Sequence, residues 1–312
     1  TDGAVPAAAG TAPRRVLVVT DSTASLPAGL AAEHGVGVVP LQVGIDGETF
    51  HEGLDLDSAA LVAALDRHAV VTTSQPSVGA FLDAYQAAAA SGAERIVSVH
   101  LSGELSGTVR AAALAAADSP VPVEVVDSRT VATGLGFAAL AAARSAAGGA
   151  SAEEVARVAE QVASSTRALF VVDSLDHLRR GGRLSAAAAA VGTALGLRPV
   201  LGVRDGRIEV VQKVRSRGAG AGRLVAAAED ALAASPHVRF AVHHLGDDSA
   251  ARACAQRVED ATGRPVLVSP VSAVLGAHVG PGLLALVSVE DPVVDGPVAD
   301  PRGAGRPGPT VS

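Results

Sequence analysis

The sequence predicts an α/β protein with two α/β domains, each built on a mostly parallel sheet. Short β-branched runs alternate with helical stretches along the chain, which is typical of parallel sheets covered by helices. With 312 residues, the chain is long enough for two domains and a sizeable core. A helical stretch ends and a new strand begins near residues 165–168, so we place the domain boundary there.

The first domain is predicted to cover residues 14–166. Its strands are β-branched, end at polar or turn residues, and cover residues 15–20, 37–43, 95–100 and 123–127. Its predicted helices cover residues 61–66, 78–90, 108–117, 136–147 and 151–165. Ser151 is expected to cap the last helix, because Glu154 three residues later completes a capping box.

The second domain is predicted to cover residues 167–290 and to contain one hairpin. Asp205-Gly206 is a turn dipeptide between the predicted strands 199–203 and 208–214. Further strands are predicted at 169–173, 238–243, 265–268 and 283–289, and helices at 175–180, 185–195, 222–234 and 248–262. Residues 1–13 and 291–312 have no periodicity, and we expect them to form a disordered arm and a disordered tail.

The composition argues against several classes of function. A net charge of -7 argues against broad contact with a nucleic-acid backbone, which needs a basic face. A single cysteine, Cys254, excludes a disulfide framework or thiolate metal site within one chain. No apolar run reaches the ~18 residues that span a bilayer, and no signal peptide is visible. We therefore expect a cytoplasmic protein without an integral membrane segment, nucleic-acid partner or metal.

Polar segments follow several predicted strands, where parallel sheets usually bind ligands. They include residues 20–27 (TDSTASLP) and 101–108 (LSGELSGT), and a further polar segment is residues 72–77 (TTSQPS). Their hydroxyl groups either donate hydrogen bonds to a carboxylate or phosphate or cap the helices that follow. Asp21 has the same two interpretations, as a catalytic carboxylate or as a group that stabilises the turn.

Two further segments carry charge or titratable groups. Residues 276–282 (GAHVGPG) place His278 among glycines, which predicts a loop that closes tightly on a ligand. Residues 178–185 (LRRGGRLS) place Arg179, Arg180 and Arg183 around two glycines, as a binding site for an anion or acidic partner or as a solvated helix end. The nucleophile elbow, the P-loop and the dinucleotide fingerprint are absent from the sequence.

Taken in order, the segments TDSTASLP, TTSQPS, LSGELSGT, VVDS, LRRGGRLS, LRPVL–DG–KVR and GAHVGPG resemble those of the DegV family, from about residue 16 to residue 289. The resemblance implies two α/β domains with a long-chain fatty acid held between them, its acyl chain in an apolar tunnel. It also implies that Thr73 or Thr72, Ser102 and His278 meet the carboxylate. Gly103 stands where many members have a second serine, so one donor is missing.

The same resemblance implies a lipid-binding subunit without turnover of its own and without catalytic residues. Its ligand is the fatty acid, and it needs no other cofactor. A separate fatty acid kinase subunit phosphorylates the bound carboxylate, and Arg179, Arg180 and Arg183 are expected to face that kinase. The residues alone leave an alternative open, an enzyme that acts on a small carboxylated or phosphorylated ligand with His278 or Asp21 as general base.

Overall fold

The computed structural model describes residues 15–27, 29–184 and 198–290. The strands are β1 (Val16–Asp21), β2 (Val36–Val39), β3 (Gln42–Ile45), β4 (Glu48–His51), β5 (Val71–Ser74), β6 (Arg95–His100), β7 (Val123–Asp127), β8 (Arg167–Val171), β9 (Arg198–Arg204), β10 (Arg207–Val214), β11 (Val238–His244), β12 (Val266–Pro270) and β13 (Leu284–Glu290). The helices are α1 (Leu30–Glu33), α2 (Ser58–Asp66), α3 (Val78–Ala90), α4 (Thr108–Ala116), α5 (Thr133–Ala147), α6 (Ala152–Ser165), α7 (Asp176–Arg180), α8 (Arg217–Ala234), α9 (Ser249–Thr262) and α10 (Ala273–Val279), with a 3₁₀ turn at Ser22–Ala24. The predicted arm 1–13, helix 185–195 and tail 291–312 lie outside the described residues.

The first large sheet is parallel, as predicted, with the strand order β2-β1-β6-β7. Successive side chains of a strand point to opposite faces, and here both faces are buried. Val18 joins one apolar cluster and Val19 another. Helices α3 and α4 cover the face of Val19, and α5 and α6 cover the other.

The second large sheet corrects the prediction of mostly parallel sheets. Its order is β10-β9-β8-β13-β11-β12, and within the described part of this sheet only the pair β11–β12 is parallel. Helix α9 connects β11 to β12, which is the long crossover that a parallel pair requires. Strand β13, late in the chain, lies between β8 and β11 and is antiparallel to both. The apolar pattern identifies a strand but contains no information about its direction.

A small antiparallel sheet, with the order β4-β3-β5, corrects two more predictions. The predicted strand 37–43 is two strands, β2 and β3, separated at Pro40, which cannot donate to a ladder. No strand was predicted within the segment TTSQPS, but Thr72 and Thr73 lie in β5 and pair with β3. Gln75, Pro76 and Ser77 follow the strand, and Ser77 caps α3, so the hydroxyl groups of Thr72, Thr73 and Ser74 sit on a rigid element.

Helices α5 and α6 lie between the two large sheets and contact strands of both. The eleven residues Thr133–Ala143 of α5 are all buried, and many are alanine or glycine. A helix that is apolar on all sides belongs between two layers, and small side chains let both sheets approach it. Helices α8 and α9 cover the outer face of the second sheet. The domain boundary near residues 165–168 stays a prediction, because α5 and α6 contribute to an apolar cluster that both large sheets share.

A fully buried polar cluster, which we call the Asp21 cluster, joins the ends of β1 and β6. It comprises Asp21, Thr23, Tyr85, Ser98 and His100, each 0% exposed. Tyr85 donates to the Ser98 hydroxyl at 2.9 Å, Ser98 Oγ lies 2.6 Å from His100 Nε2, and His100 Nδ1 lies 3.0 Å from Asp21 Oδ2. Burial raises the pKa of Tyr85 to about 12, so its hydroxyl remains a donor. The donors run in one direction and end on the carboxylate.

Candidate functional site

A cavity of about 890 Å³, counted with its open mouth, lies between the second large sheet and the segments that follow strands of the first. We call it the aliphatic cavity, because apolar side chains form most of its wall. From the second sheet and its loops come Ala168, Leu169, Phe170, Val203, Ile208, Leu283, Ala285 and Val287. From the other side come Leu41, Leu101, Leu105, Val131, Ala132, Leu178, Val271, Val274, Leu275 and Val279.

The aliphatic cavity crosses most of the second sheet. Ile208 on β10 and His243 on β11 both belong to its wall, and β9, β8 and β13 lie between those two strands. Because neighbouring strands are ~4.8 Å apart, four intervals give a span of ~19 Å. The shape is long and apolar, which suits an extended hydrocarbon better than a compact ligand.

One part of the aliphatic cavity is polar. Thr73 Oγ1 on β5 lies 2.8 Å from His278 Nε2 on α10, although the two residues are 205 positions apart. Gln75, Ser106 and Arg183 line the same cavity. The Arg183 side chain is held in place by donating through Nε to the main-chain oxygen of Leu105 at 3.2 Å. The hydroxyls, imidazole and guanidinium together supply the donors that an anionic head group requires.

His278 is neutral at pH 7. Burial lowers the pKa of His278 to about 4, and the positive charges of Arg183 and His177 lower it further in the same direction. A neutral imidazole donates one hydrogen bond and accepts another. Its hydrogen bond with Thr73 fits a role in orienting the hydroxyl group.

A second cavity, of about 770 Å³ when its open mouth is included, adjoins the first. It is lined by Leu65, Ala69, Val71, Thr72, Thr73, His177, Arg180, Gly181, Arg183, Ala277 and His278, and we call it the polar cavity. Thr73, Arg183 and His278 belong to the walls of both cavities. These three side chains therefore mark the junction between an apolar compartment and a cationic one.

The glycine-rich segments explain how α7 and α10 approach each other. A Cβ atom at Gly181 would collide with the imidazole of His278, and a Cβ atom at Gly280 would collide with the imidazole of His177. The prediction that His278 lies in a loop was wrong, because it occupies the last turn of α10. The glycines at these two positions make room for histidines of the neighbouring segment, so they allow α7 and α10 to pack closely.

Comparison with known proteins identifies the family. The family model described as "Uncharacterised protein, DegV family" matches residues 15–291. A DegV domain-containing protein of Streptomyces coelicolor is 47% identical over 278 residues, covering 88% of this chain and 98% of that protein. The chain belongs to the DegV family.

Solved structures of DegV proteins share this fold. A DegV family protein from Thermus thermophilus, described by its fatty acid binding, matches with a TM-score of 0.82 and 34% identity, covering 88% of this chain and 99% of that one. DegV from Bacillus subtilis, described as a fatty acid binding protein, matches with a TM-score of 0.82 and 31% identity, covering 89% and 100%. Proteins similar to this DegV chain therefore bind fatty acids.

The structure separates the two threonines that the sequence left undecided. Thr73 lines both cavities and contacts His278. Thr72 is exposed, lines only the polar cavity, and lies over Gly44 of the neighbouring strand. Because successive residues of a strand point to opposite faces, only Thr73 reaches the polar part of the aliphatic cavity.

Ser102 does not belong to the wall of either cavity, and its contact with the carboxylate stays a prediction. It is 0% exposed, and its hydroxyl donates to the main-chain oxygen of Gly206 at 2.8 Å. It also accepts from the Glu104 amide at 3.2 Å. Ser102 thus ties the loop after β6 to the β9–β10 hairpin, and Ser106 of the same segment is the serine in the cavity wall.

The three arginines of the GGR segment do not share one environment. Arg183 is half-buried and lines both cavities, so an outward role towards a kinase does not fit its position. Arg180 is exposed and lines the polar cavity. Arg179 is also exposed, lines neither cavity, and lies 3.9 Å from Asp176. The sequence alone gave no sign of these differences.

Asp21 has a structural role. Its carboxylate accepts from His100, from the amides of Thr23 and Leu101, and from the Thr23 hydroxyl. It lines neither cavity and is fully buried. The alternative of Asp21 as general base is therefore contradicted, because no ligand in these cavities can contact its oxygens.

His243 is a cavity residue that sequence patterns did not predict as part of the ligand site. It is 1% exposed and belongs to the wall of the aliphatic cavity. Its Nε2 lies 2.9 Å from Thr133 Oγ1, and its Nδ1 lies 3.2 Å from the main-chain oxygen of Ser269. Burial lowers the pKa of His243 to about 4, so the wall carries no charge here at pH 7.

The described residues contain no group of three or more His, Cys, Asp or Glu placed to hold a metal ion. In the same part of the chain, no helix combines the length and apolarity that crossing a membrane requires.

Proposed function

We propose that this DegV protein binds a long-chain fatty acid in the aliphatic cavity, with the carboxylate at the junction of the two cavities. The observation that carries the proposal is a largely apolar cavity that spans ~19 Å across the second sheet and has Thr73, His278 and Arg183 in its wall. The fatty acid binding of the similar proteins from Thermus thermophilus and Bacillus subtilis supports it.

The energetics of the two ends differ. Burial of each CH₂ group contributes about 0.8 kcal/mol, so the acyl chain supplies most of the affinity. A carboxylate buried without partners would be costly, and the donors at the junction offset that cost. The polar end therefore sets the orientation of the acid, with its carboxylate towards the polar cavity.

The direct test is the recovery of a lipid. The purified protein is denatured, extracted and analysed by mass spectrometry, and the delipidated protein is titrated with palmitate and oleate. We expect about one acyl chain per polypeptide and saturable binding of the added acids. Failure to recover an acyl chain, together with failure to bind either acid, would remove the proposal.

We further propose that the bound acid is presented to a separate fatty acid kinase subunit. One carboxylate oxygen forms a bond to the γ-phosphorus of ATP, the bond from that phosphorus to the bridging oxygen breaks, and ADP leaves with the electron pair. The protein would supply no catalytic group and would hold the acid and its acyl phosphate. Exposed Arg179, which neighbours the cavity residue Arg180 on α7, is the residue we assign to the kinase contact.

A matched pair of charge reversals tests this contact. Arg179→Glu should slow acyl phosphate formation by a fatty acid kinase catalytic subunit at low ionic strength, where charge contacts are strongest. Arg110→Glu makes the same change at an exposed position of α4, a helix on the face of the first sheet that points away from the second sheet. Equal rates for both variants would remove Arg179 from the contact, while the lipid extraction decides fatty acid binding separately.

A further inference from the structure

Helix α10 is a wall that the two cavities share. Five of its seven residues line one cavity or both, namely Val274, Leu275, Ala277, His278 and Val279. The helix follows β12 of the second sheet in the chain, yet it packs against α2 and β5, which lie far earlier in the sequence. A displacement of α10 would therefore change the walls of both cavities at once.

The start of α10 is tied to those early segments by hydrogen bonds. Two of them involve serines, from the Ser272 amide to Ser25 Oγ at 3.0 Å and from the Ser58 hydroxyl to the main-chain oxygen of Val271 at 2.6 Å. The third contact is a carboxylate bridge. Glu52 Oε1 accepts from the Val274 amide at 3.2 Å, and Glu52 Oε2 accepts from the Ser22 hydroxyl at 2.6 Å. Of these three contacts, only the bridge through Glu52 can change its charge.

Glu52 is a buried carboxylate without a cation beside it. Its exposed fraction is 7%, and the described residues place no arginine, lysine or histidine in an ion pair with it. Burial raises the pKa of Glu52 to about 7, and the hydrogen bonds from Ser22 and Val274 oppose only part of this effect. An ionised carboxylate is costly to bury without a cation, so the closed position of α10 favours the protonated form.

Other titratable groups lie on the segments around Glu52, and these are Asp21, His51, Asp55, Asp57 and His278. Asp21 accepts from His100, and Asp57 caps α2. Burial lowers the pKa of His278 to about 4, so His278 is neutral from pH 6 to pH 8. His51 lies 3.5 Å from Asp55 at the surface. Histidine is the side chain that ordinarily changes charge near neutral pH, so His51 needs a control of its own.

We propose that Glu52 is a positioning residue that acts as a pH-sensitive latch on the cavity wall. Protonated Glu52 holds the start of α10 in place, and ionisation of Glu52 favours displacement of α10 and exchange of the acyl ligand. The inference rests on the proposed function, because the ligand that exchanges is the fatty acid. Displacement of α10 exposes the carboxylate to water, where its charge is solvated. Opening therefore becomes more favourable as the pH rises.

Ligand exchange at two pH values tests the latch. Protein loaded with cis-parinarate, a fluorescent fatty acid, is mixed with excess palmitate, and stopped-flow fluorescence gives the dissociation rate at pH 6 and pH 8. Glu52→Gln cannot ionise and keeps an acceptor for the Val274 amide. The ratio of the rate at pH 8 to the rate at pH 6 should be about tenfold larger in wild type than in this variant, as expected for a carboxyl group whose pKa is about 7 when buried and 4.5 in water. The comparison cancels the titration of the ligand itself.

Two control variants and one measurement without ligand complete the test. Glu48→Gln removes an exposed carboxylate of β4, and His51→Gln removes the neighbouring imidazole. Both should keep the wild-type ratio within about twofold, as expected for exposed charges. Hydrogen exchange of the α10 amides in delipidated protein, corrected for the intrinsic exchange rate, should show more opening in wild type than in Glu52→Gln at pH 8 and similar opening at pH 6.

The outcomes separate the latch from the proposed function. Equal pH ratios in wild type and Glu52→Gln overturn the latch and leave fatty acid binding intact. A ratio that falls in His51→Gln as much as in Glu52→Gln also overturns it. If cis-parinarate does not bind at either pH, the proposed function fails, and hydrogen exchange alone decides the latch, which equal protection of α10 in both proteins would overturn. A pH dependence lost in Glu52→Gln alone supports the latch.

Discussion

The Asp21 cluster and the junction of the two cavities use the same kinds of side chain for different purposes. Each joins a histidine to a hydroxyl group, through Ser98 and His100 in the cluster and through Thr73 and His278 at the junction. The cluster is fully buried, and its donors end on a carboxylate within the protein. The walls of the two cavities contain no Asp or Glu among the described residues, so the junction has no carboxylate of its own to accept from these donors.

The two histidines have different roles because their hydrogen-bonding partners and their burial differ. The hydrogen bonds that link Ser98, His100 and Asp21 resemble those of the catalytic triad of a hydrolase. In the Asp21 cluster that chain lines neither cavity and holds the loops after β1 and β6 together. The Thr73–His278 pair is only partly buried, and its remaining donor capacity faces both cavities.

The substitution with the largest expected effect disrupts the Asp21 cluster. Asp21→Ala removes the acceptor of His100, Thr23 and the Leu101 amide, and leaves those groups buried without a partner. We expect a loss of about 3–5 kcal/mol of unfolding free energy, the range for breaking a buried charged network. Urea denaturation followed by circular dichroism measures it. A loss below about 1 kcal/mol, the typical value for a single hydrogen bond, would show that water reaches the cluster.

Glu52 connects the two regions and gives a pH test. Its carboxylate accepts from the hydroxyl of Ser22, next to Asp21, at 2.6 Å and from the amide of Val274, on the helix of His278, at 3.2 Å. Burial raises the pKa of Glu52 from 4.5 to about 7, an effect only partly opposed by these hydrogen bonds. The folded state therefore binds this proton more strongly than the unfolded state does.

Stability from Glu52 is present at low pH and is lost as the pH rises from about 4.5 to about 7. Glu52→Gln removes this dependence. The unfolding free energy of the variant minus that of wild type should therefore increase by up to ~3 kcal/mol from pH 5 to pH 8. Paired urea titrations at the two pH values measure the change. An equal difference between variant and wild type at both values would mean that Glu52 ionises normally in the folded protein.

The fold could be predicted where local pattern decides it. Helix α3 follows the predicted bounds 78–90, and the Asp205-Gly206 hairpin forms as the turn dipeptide indicates. The direction of β13 and the separate strands β4 and β5 were missed for a physical reason. Strand direction depends on which distant segment supplies the partner, and β4 is a short polar edge strand without an alternating pattern.

The residues of the site also divide into those that a sequence pattern identifies and those whose surroundings depend on distant segments. Thr73 and His278 were identified through the resemblance of whole segments, and the structure places the two side chains in contact. Ser102 lies outside both cavity walls, which its sequence context could not show, because a serine after a strand donates equally well to a ligand or to a main-chain oxygen. Its acceptor, Gly206, is 104 residues away in the hairpin, which no local pattern reveals. The different surroundings of Arg179, Arg180 and Arg183 also depend on tertiary contacts.

A matched pair of threonine variants sharpens the description of the junction. Thr73→Val should weaken palmitate binding by about 1–3 kcal/mol, because a buried anionic head group loses a donor. Thr72→Val makes the same change on the adjacent, exposed residue of β5 and should have a smaller effect on palmitate. Titration of delipidated protein compares them. Equal losses in the two variants would place the carboxylate in the polar cavity instead of at the junction.

The smallest expected effect concerns Ser102, which by its surroundings belongs with the Asp21 cluster and not with the junction. Ser102→Ala removes the donor to Gly206 and the acceptor for the Glu104 amide, and should cost about 1–2 kcal/mol of unfolding free energy. Palmitate affinity should change by less than about twofold, since the serine lines neither cavity. Gly103→Ser, at the position where the missing second serine would stand, is the complementary variant. A Cβ atom there would meet the Asp127 carboxylate, so the change should perturb that loop without creating a donor for the acid. If Ser102→Ala lowers palmitate affinity tenfold while stability is unchanged, the loop after β6 turns towards the ligand when the acid binds, and the expectation from sequence is restored.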